Sequence, residues 1–242
     1  HIGKKEKLIV DYRAKGESTL ASLVKDYAKF VRGEEHVKPS NTVMELPGLE
    51  NVRGFIFTQL ENIGIDLIVK KIIQYITGTS TQRSFYKPEN VCIISEKTFV
   101  VRKIEKRILE CYPSQIEIQT TFESEDFFQK VKAQAPYLSD QNTRKFKFGN
   151  ESEYYTLDEY CKVKKMSFSA KSNKLSLTTV KSAKGLEFPI IIFIIDKNDS
   201  KELIYTGISR AREQLMFFIH EESNSIDFFN NNLDTLSTLD NS

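Results

Sequence analysis

The 242-residue chain has little with which to build a redox or metal site. Its three cysteines, Cys92, Cys111 and Cys161, stand far apart and share no metal-ligand spacing. Cys92 lies in an apolar, strand-like run and reads as a buried free thiol. Such cysteine usage fits a reducing cytoplasm rather than a disulfide framework. No Ser-His-Asp, Cys-His or paired-carboxylate constellation stands out, and His36 and His220 are isolated. No signal-peptide pattern or membrane-spanning run is found; the apolar stretch Ile190 to Ile195 is short and fits a buried strand. There is no Gly-x-x-x-x-Gly-Lys-Ser/Thr and no apolar strand ending in Asp-Glu. A phosphate cradle and a magnesium-binding pair are therefore both missing. No Gly-x-Gly-x-x-Gly follows any strand, which excludes the dinucleotide fingerprint. Net charge is only +2 and the pI near 8.3, so any basic footprint has to be local. The first residue is His1 rather than Met, as expected of a fragment.

What is present is an ordinary globular composition, 40% hydrophobic and 28% charged, in a chain long enough for one large α/β domain. Lys7 to Asp11, with its apolar Leu-Ile-Val, reads as a short strand that leads into Asp11-Tyr12-Arg13 and a turn at Lys15-Gly16. Leu20, Leu23, Val24, Tyr27 and Val31 recur at helical spacing, with Ser18 or Thr19 as cap and Gly33 as stop. Glu34 to Asn51 is loop-like, with one short strand at Thr42–Leu46. Gly54–Gln59, Asn90–Ser95 and Ile116–Thr120 read as strands. Helices follow from the spacing of Ile65 to Ile76, from Val101, Ile104 and Ile108 with Thr98 as cap, and from a start capped by Ser124. Strands alternating with helices of this length imply a largely parallel sheet flanked by helices. Residues 136–174 read as a short irregular insertion, helical only over Thr156–Lys165. Residues 223–242 read as a polar tail. Asp199 and Glu202 suggest a capping box for the helix carrying Arg210 and Arg212.

Two stretches dominate the rest. Thr179 to Phe188 reads Thr-Val-Lys-Ser-Ala-Lys-Gly-Leu-Glu-Phe, and Leu203 to Leu215 reads Leu-Ile-Tyr-Thr-Gly-Ile-Ser-Arg-Ala-Arg-Glu-Gln-Leu. A strand edge, a glycine that lets backbone approach a ligand and a nearby cation are the parts of a phosphate site. These stretches resemble the fifth and sixth conserved motifs of superfamily 1 helicases of the UvrD/Rep type. Leu8 to Arg13 is similar to the fourth, with Asp11 in place of Asn and Ala14 in place of Ser. The resemblance implies an α/β, RecA-like second motor domain over residues 1–222, a P-loop NTPase-like fold without its own P-loop.

The resemblance also assigns roles. Arg210 matches an arginine finger that reaches the terminal phosphate of ATP held on another domain, and Arg13 takes the same role. Taken as ordinary side chains, Arg210 could instead pair with Glu213 or Glu202, and Arg13 with Asp11 or Glu17. Gly185 would free a backbone amide or make a sharp turn, and Glu187 would meet the nucleotide's sugar. Thr179, Lys181 and Ser182 would face single-stranded DNA, with Lys181 where the family usually has histidine. Arg144 to Phe148 mixes cations with aromatics, which suits either a base-stacking platform or an amphipathic edge strand. The expected function is the C-terminal motor domain of an ATP-dependent DNA helicase. ATP and Mg2+ would be held mainly by an N-terminal RecA-like domain, with single-stranded DNA as partner. The other reading is a motor-less, helicase-like subunit that binds DNA or other proteins within a nuclease or defence complex.

Overall fold

In the computed structural model, residues 19–34, 55–60, 64–77, 87–112, 116–137, 141, 143–148 and 153–232 are described. The Leu8–Arg13 motif, Arg13 with it, and the strand expected at Thr42–Leu46 lie outside these residues.

The sheet is built from β1 (Phe55–Leu60), β2 (Val91–Ser95), β3 (Ile118–Thr120), β6 (Leu175–Thr179), β7 (Phe188–Ile195) and β8 (Ala211–His220). Its six strands run in the order β1-β8-β7-β2-β6-β3, and every pairing is parallel. A parallel strand is covered on both faces, so its side chains are apolar without alternation. The run Ile190–Ile195 meets that demand, and all of it is buried.

Period-two geometry divides these strands between two cores. Ile190, Ile192 and Ile194 of β7 join Met216 and Phe218 of β8 on one face. There they meet α2 (Ile65–Thr77) and α3 (Thr98–Cys111), whose Ile68, Ile72, Ile104 and Ile108 are fully buried. Ile191, Phe193, Ile195, Phe217 and Ile219 point to the opposite face. That face is covered by α1 (Thr19–Val31), α6 (Lys201–Ile208) and α7 (Ile226–Asn232). The α/β class, the parallel sheet and its helical flanks are those expected from the alternation of elements.

Several local expectations change. The cap of α6 is Ser200, whose hydroxyl accepts from Leu203 N, and not Asp199. Asp199 is buried instead and accepts from Asp196 N. Lys97 stands at the N-cap of α3 without a side-chain bond, so Thr98 is not the cap. Arg210 sits in a turn beyond α6 and Arg212 in β8, so neither is on the helix. Residues 226–232 are helix rather than tail, because Phe228 and Phe229 among the asparagines reach the second core.

The described residues within 136–174 include regular structure. β4 (Phe146–Lys147) pairs antiparallel with β5 (Tyr154–Tyr155), and α5 (Leu157–Ser167) follows with a complete Thr156–Glu159 capping box. Phe146 and Phe148 are buried against Val131 and Ala135, on and just after α4 (Glu125–Gln134). Phe148 stacks on Tyr160 at 3.6 Å between ring centroids. These two phenylalanines fill a small core of their own, which removes the base-stacking platform and leaves the amphipathic strand.

Candidate functional site

β6 ends at Thr179, level with Ser95 of β2 and hence with Ile194 of β7. The next strand begins at Phe188, so residues 180–187 travel back across β2 to the other end of the sheet. The Val180 amide donates to Ser95 O, and Val180 and Ala183 are buried. At the start of this crossover, Ser182 N donates to Thr179 Oγ1 at 3.3 Å, while Thr179 Oγ1 donates to Ser182 Oγ at 3.1 Å. Lys181 is exposed between them. The two hydroxyls and the cation thus form a compact polar corner at the carboxyl end of the sheet.

Further along the loop, Gly185 has φ of +88°, a backbone that L side chains rarely adopt. A Cβ there would meet nothing within 4 Å, so the demand for glycine comes from the turn alone. Glu187 is half-buried after it. Phe188 N donates to Arg210 O at 3.0 Å, and Phe188 pairs with Ala211 as β7 and β8 begin. Glu187 and Arg210 therefore stand at the amino ends of β7 and β8, while Gly185 lies in the turn between the two ends, closed by the Leu186 amide donating to Ala183 O. Thr179, Lys181 and Ser182 lie at the opposite end of the sheet. One continuous loop joins the two groups.

Arg210 is half-buried and folded back on the end of α6. Its Nε donates to Thr206 O at 3.0 Å and its Nη2 to Ser209 Oγ at 2.9 Å. A cation at the carboxyl end of a helix satisfies terminal carbonyls and suits the helix dipole. Tight packing beside it comes from Gly207. An ideal Cβ on Gly207 would stand 2.3 Å from the Phe193 ring.

No motif or spacing announces the cleft beside the Thr179–Ser182 corner. It measures about 370 Å3 and lies beyond the carboxyl ends of β2, β3 and β6, where open α/β sheets accept ligands. Thr98, Arg102, Thr121, Glu123, Cys161 and Lys165 line it together with Thr179 and Ser182. Arg102 is buried, donates to Glu123 Oε1, and lies 3.6 Å over the Phe128 ring. Cys161 donates to Glu123 Oε2 at 3.1 Å. Burial, then the charge of Glu123, pushes the Cys161 thiol up to about 12, so it is a donor and not a nucleophile. Glu105, on α3, is pushed up to about 7 by burial, although Lys164 and Arg102 oppose the shift. Arg102 and Glu105 look like surface charges in a linear reading of α3. Only the placement of α4 and α5 over that helix buries them.

Residues 174–218 match the family model described as the UvrD-like helicase C-terminal domain. The span holds β6, β7, α6 and most of β8, hence both loop motifs. Among solved structures the chain is similar to the C-terminal domain of a possible DNA helicase from Lactobacillus plantarum WCFS1. That similarity is at 14% identity, covers 88% of this chain and 92% of that one, and has a TM-score of 0.41. It is also similar to the C-terminal part of the Fun30 ATPase domain at 12% identity, covering 72% of this chain and 47% of that one, with a TM-score of 0.36. A comparison with curated proteins returned no match.

Proposed function

We propose that this chain is the second motor half of an ATP-dependent DNA helicase. In this reading Arg210 and Arg13 serve a nucleotide held on an N-terminal RecA-like domain. Thr179, Lys181 and Ser182 grip single-stranded DNA. The observation that carries the reading is the two-ended loop. Residues 180–187 tie the hydroxyl-and-lysine corner at one end of the sheet, through the Gly185 turn, to Glu187 and Arg210 at the other. A direct link between two ends of a sheet suits a device that couples a change at one ligand to the grip on another.

The residues of this chain fit only one side of such a nucleotide. The sequence has no phosphate-cradling P-loop, and no group of three His, Cys, Asp or Glu among the described residues could hold a metal ion. Bound ATP and Mg2+ would supply the hydrolysable phosphoryl group and its counter-charge. Arg210 contributes an always-charged fork suited to phosphate oxygens, and Gly185 a turn free of side chain.

The test is DNA-stimulated ATPase of the complete protein. Arg210→Ala is expected to lower turnover by about a thousandfold or more while DNA binding survives. Lys181→Glu is expected to weaken DNA binding and the stimulated ATPase together. Turnover within about threefold of wild type for Arg210→Ala, far short of a finger's usual effect, would reject the motor role. A specific observation favours the second reading, a motor-less helicase-like module: Arg210 already has partners on its own helix end. A P-loop and an Asp-Glu strand in the preceding sequence of the parent protein would decide for the motor.

A further inference from the structure

We propose that Glu96 is a positioning residue for Arg210, tying the helix that leads to Arg210 to the turn that holds the strand-binding corner. The inference rests on the motor reading above and adds to it a residue that lies outside both loop motifs.

The need for Glu96 begins at the start of α6. Ser200 is the N-cap, and its hydroxyl serves Leu203 N, which leaves its own amide in want of an acceptor. A capping box would satisfy that amide with a Glu or Gln three residues on. Position 203 is leucine, whose side chain cannot accept. The acceptor comes from another element: Glu96 Oε2 takes the Ser200 N–H at 2.9 Å, across 104 positions of sequence. The Glu96 side chain is only 15% exposed, and a carboxylate there suits the positive end of the helix dipole. Lys97 Nζ donates to the other oxygen, Oε1, at 3.2 Å and steadies it.

Glu96 also stands beside the strand-binding corner. Ser95, the residue before it, pairs with Thr179 of β6 and accepts the Val180 amide at 3.0 Å, at the root of the 180–187 loop. Thr98, two residues after it, lines the cleft with Thr179 and Ser182. One short turn thus holds the corner through Ser95 and α6 through Glu96. α6 has eight residues and is about 12 Å long at the usual helical rise. Just beyond its far end is Arg210, whose amide donates to Gly207 O at 3.0 Å and whose Nε donates to Thr206 O. A short helix is a stiff element, so a shift at Ser200 is passed to Arg210. Misplacing a catalytic group by about 1 Å costs about a hundredfold in rate.

The experiment is steady-state ATPase of the complete protein at saturating oligo(dT), beside oligo(dT) affinity and a thermal melt. Glu96→Ala should lower turnover by roughly tenfold to a hundredfold and keep oligo(dT) affinity. Glu96→Gln should restore turnover to within about threefold of wild type, because its amide oxygen still accepts from Ser200 N. Wild-type turnover in Glu96→Ala, an equal loss in both variants, or a parallel loss of affinity would overturn the positioning role. Should Glu96→Ala not fold, hydrogen exchange of the wild-type protein decides. Oligo(dT) binding should change the protection of the Ser200 amide, and unchanged protection overturns the link. Arg210→Ala separates the two readings. Wild-type turnover in that variant rejects the motor role itself, whereas its loss beside a normal Glu96→Ala rejects only the part given to Glu96.

Discussion

At the scale of single residues, Arg210 has two competing demands on one guanidinium. Folded back, it makes two hydrogen bonds at the end of α6. Each such bond nets about 1 kcal/mol, so extension toward a phosphate costs on the order of 1–3 kcal/mol. An arginine finger supplies more than that in the transition state, so the swing is affordable only when charge develops. The two roles separate by measurement. A structural arginine lost to alanine lowers the melting temperature by a few degrees and leaves turnover near wild type. A finger lost to alanine leaves the melt within those few degrees and removes turnover. Arg210→Lys should rescue little of the activity, because an ammonium lacks the planar fork. Gly185→Ala tests the turn within the same loop. With φ at +88° and open space around it, the cost is backbone strain of about 1–2 kcal/mol, read in a thermal melt.

At the scale of elements, α6 lies against β7 because Gly207 lets the Phe193 ring approach. Gly207→Ala should destabilise the protein by about 1–3 kcal/mol and shift the turn that carries Arg210. Urea denaturation measures the first effect. A stability unchanged within error would mean that the helix simply rides outward. The carboxyl end of the sheet carries a pH dependence. Asp199 and Glu105 are both raised to about 7, in each case chiefly by burial. Around Asp199, Glu96 and Asp196 raise the value further, while Lys97 and the Asp196 amide lower it. Around Glu105, Glu123 raises the value, while Lys164 and Arg102 lower it. A carboxyl with a raised folded-state pKa binds more protons folded than unfolded between its ordinary range and about 7. Its contribution to stability is full at low pH and is lost as pH rises through that window. Glu105→Gln should therefore flatten the fall of melting temperature between about pH 4.5 and 7. An unchanged slope would mean that Glu105 is solvated in solution.

At the scale of the whole molecule, the half-site reading predicts what this chain does alone. Without a phosphate cradle it should hydrolyse no ATP and bind ATP·Mg2+ weakly at best. Isothermal calorimetry checks this, and micromolar affinity would contradict it. Single-stranded DNA should bind weakly and with strong salt sensitivity, because few phosphates are met and the grip is shared with another domain. Raising salt from about 50 to 200 mM should abolish most of that binding.

The alternation of apolar strands and amphipathic helices determined the α/β class and the parallel sheet. Period-two and period-3.6 burial are local consequences of backbone geometry and need no knowledge of neighbours. The Lys-Gly-Leu-Glu-Phe turn was legible for the same reason, since its glycine answers to its own φ. The placement of Arg210 just past a helix end and before a strand was half legible. Its cap was misread because Asp199 and Ser200 are both good cap residues, and only packing buries the first. Tertiary structure alone decided that Phe146 and Phe148 are core, that Phe228 and Phe229 seal the second face, and that Arg102, Glu123 and Cys161 meet in one cleft. Arg102 and Glu123 are 21 positions apart and Glu123 and Cys161 38 apart. No local periodicity links such residues, so their contact exists only once α4 and α5 close over α3.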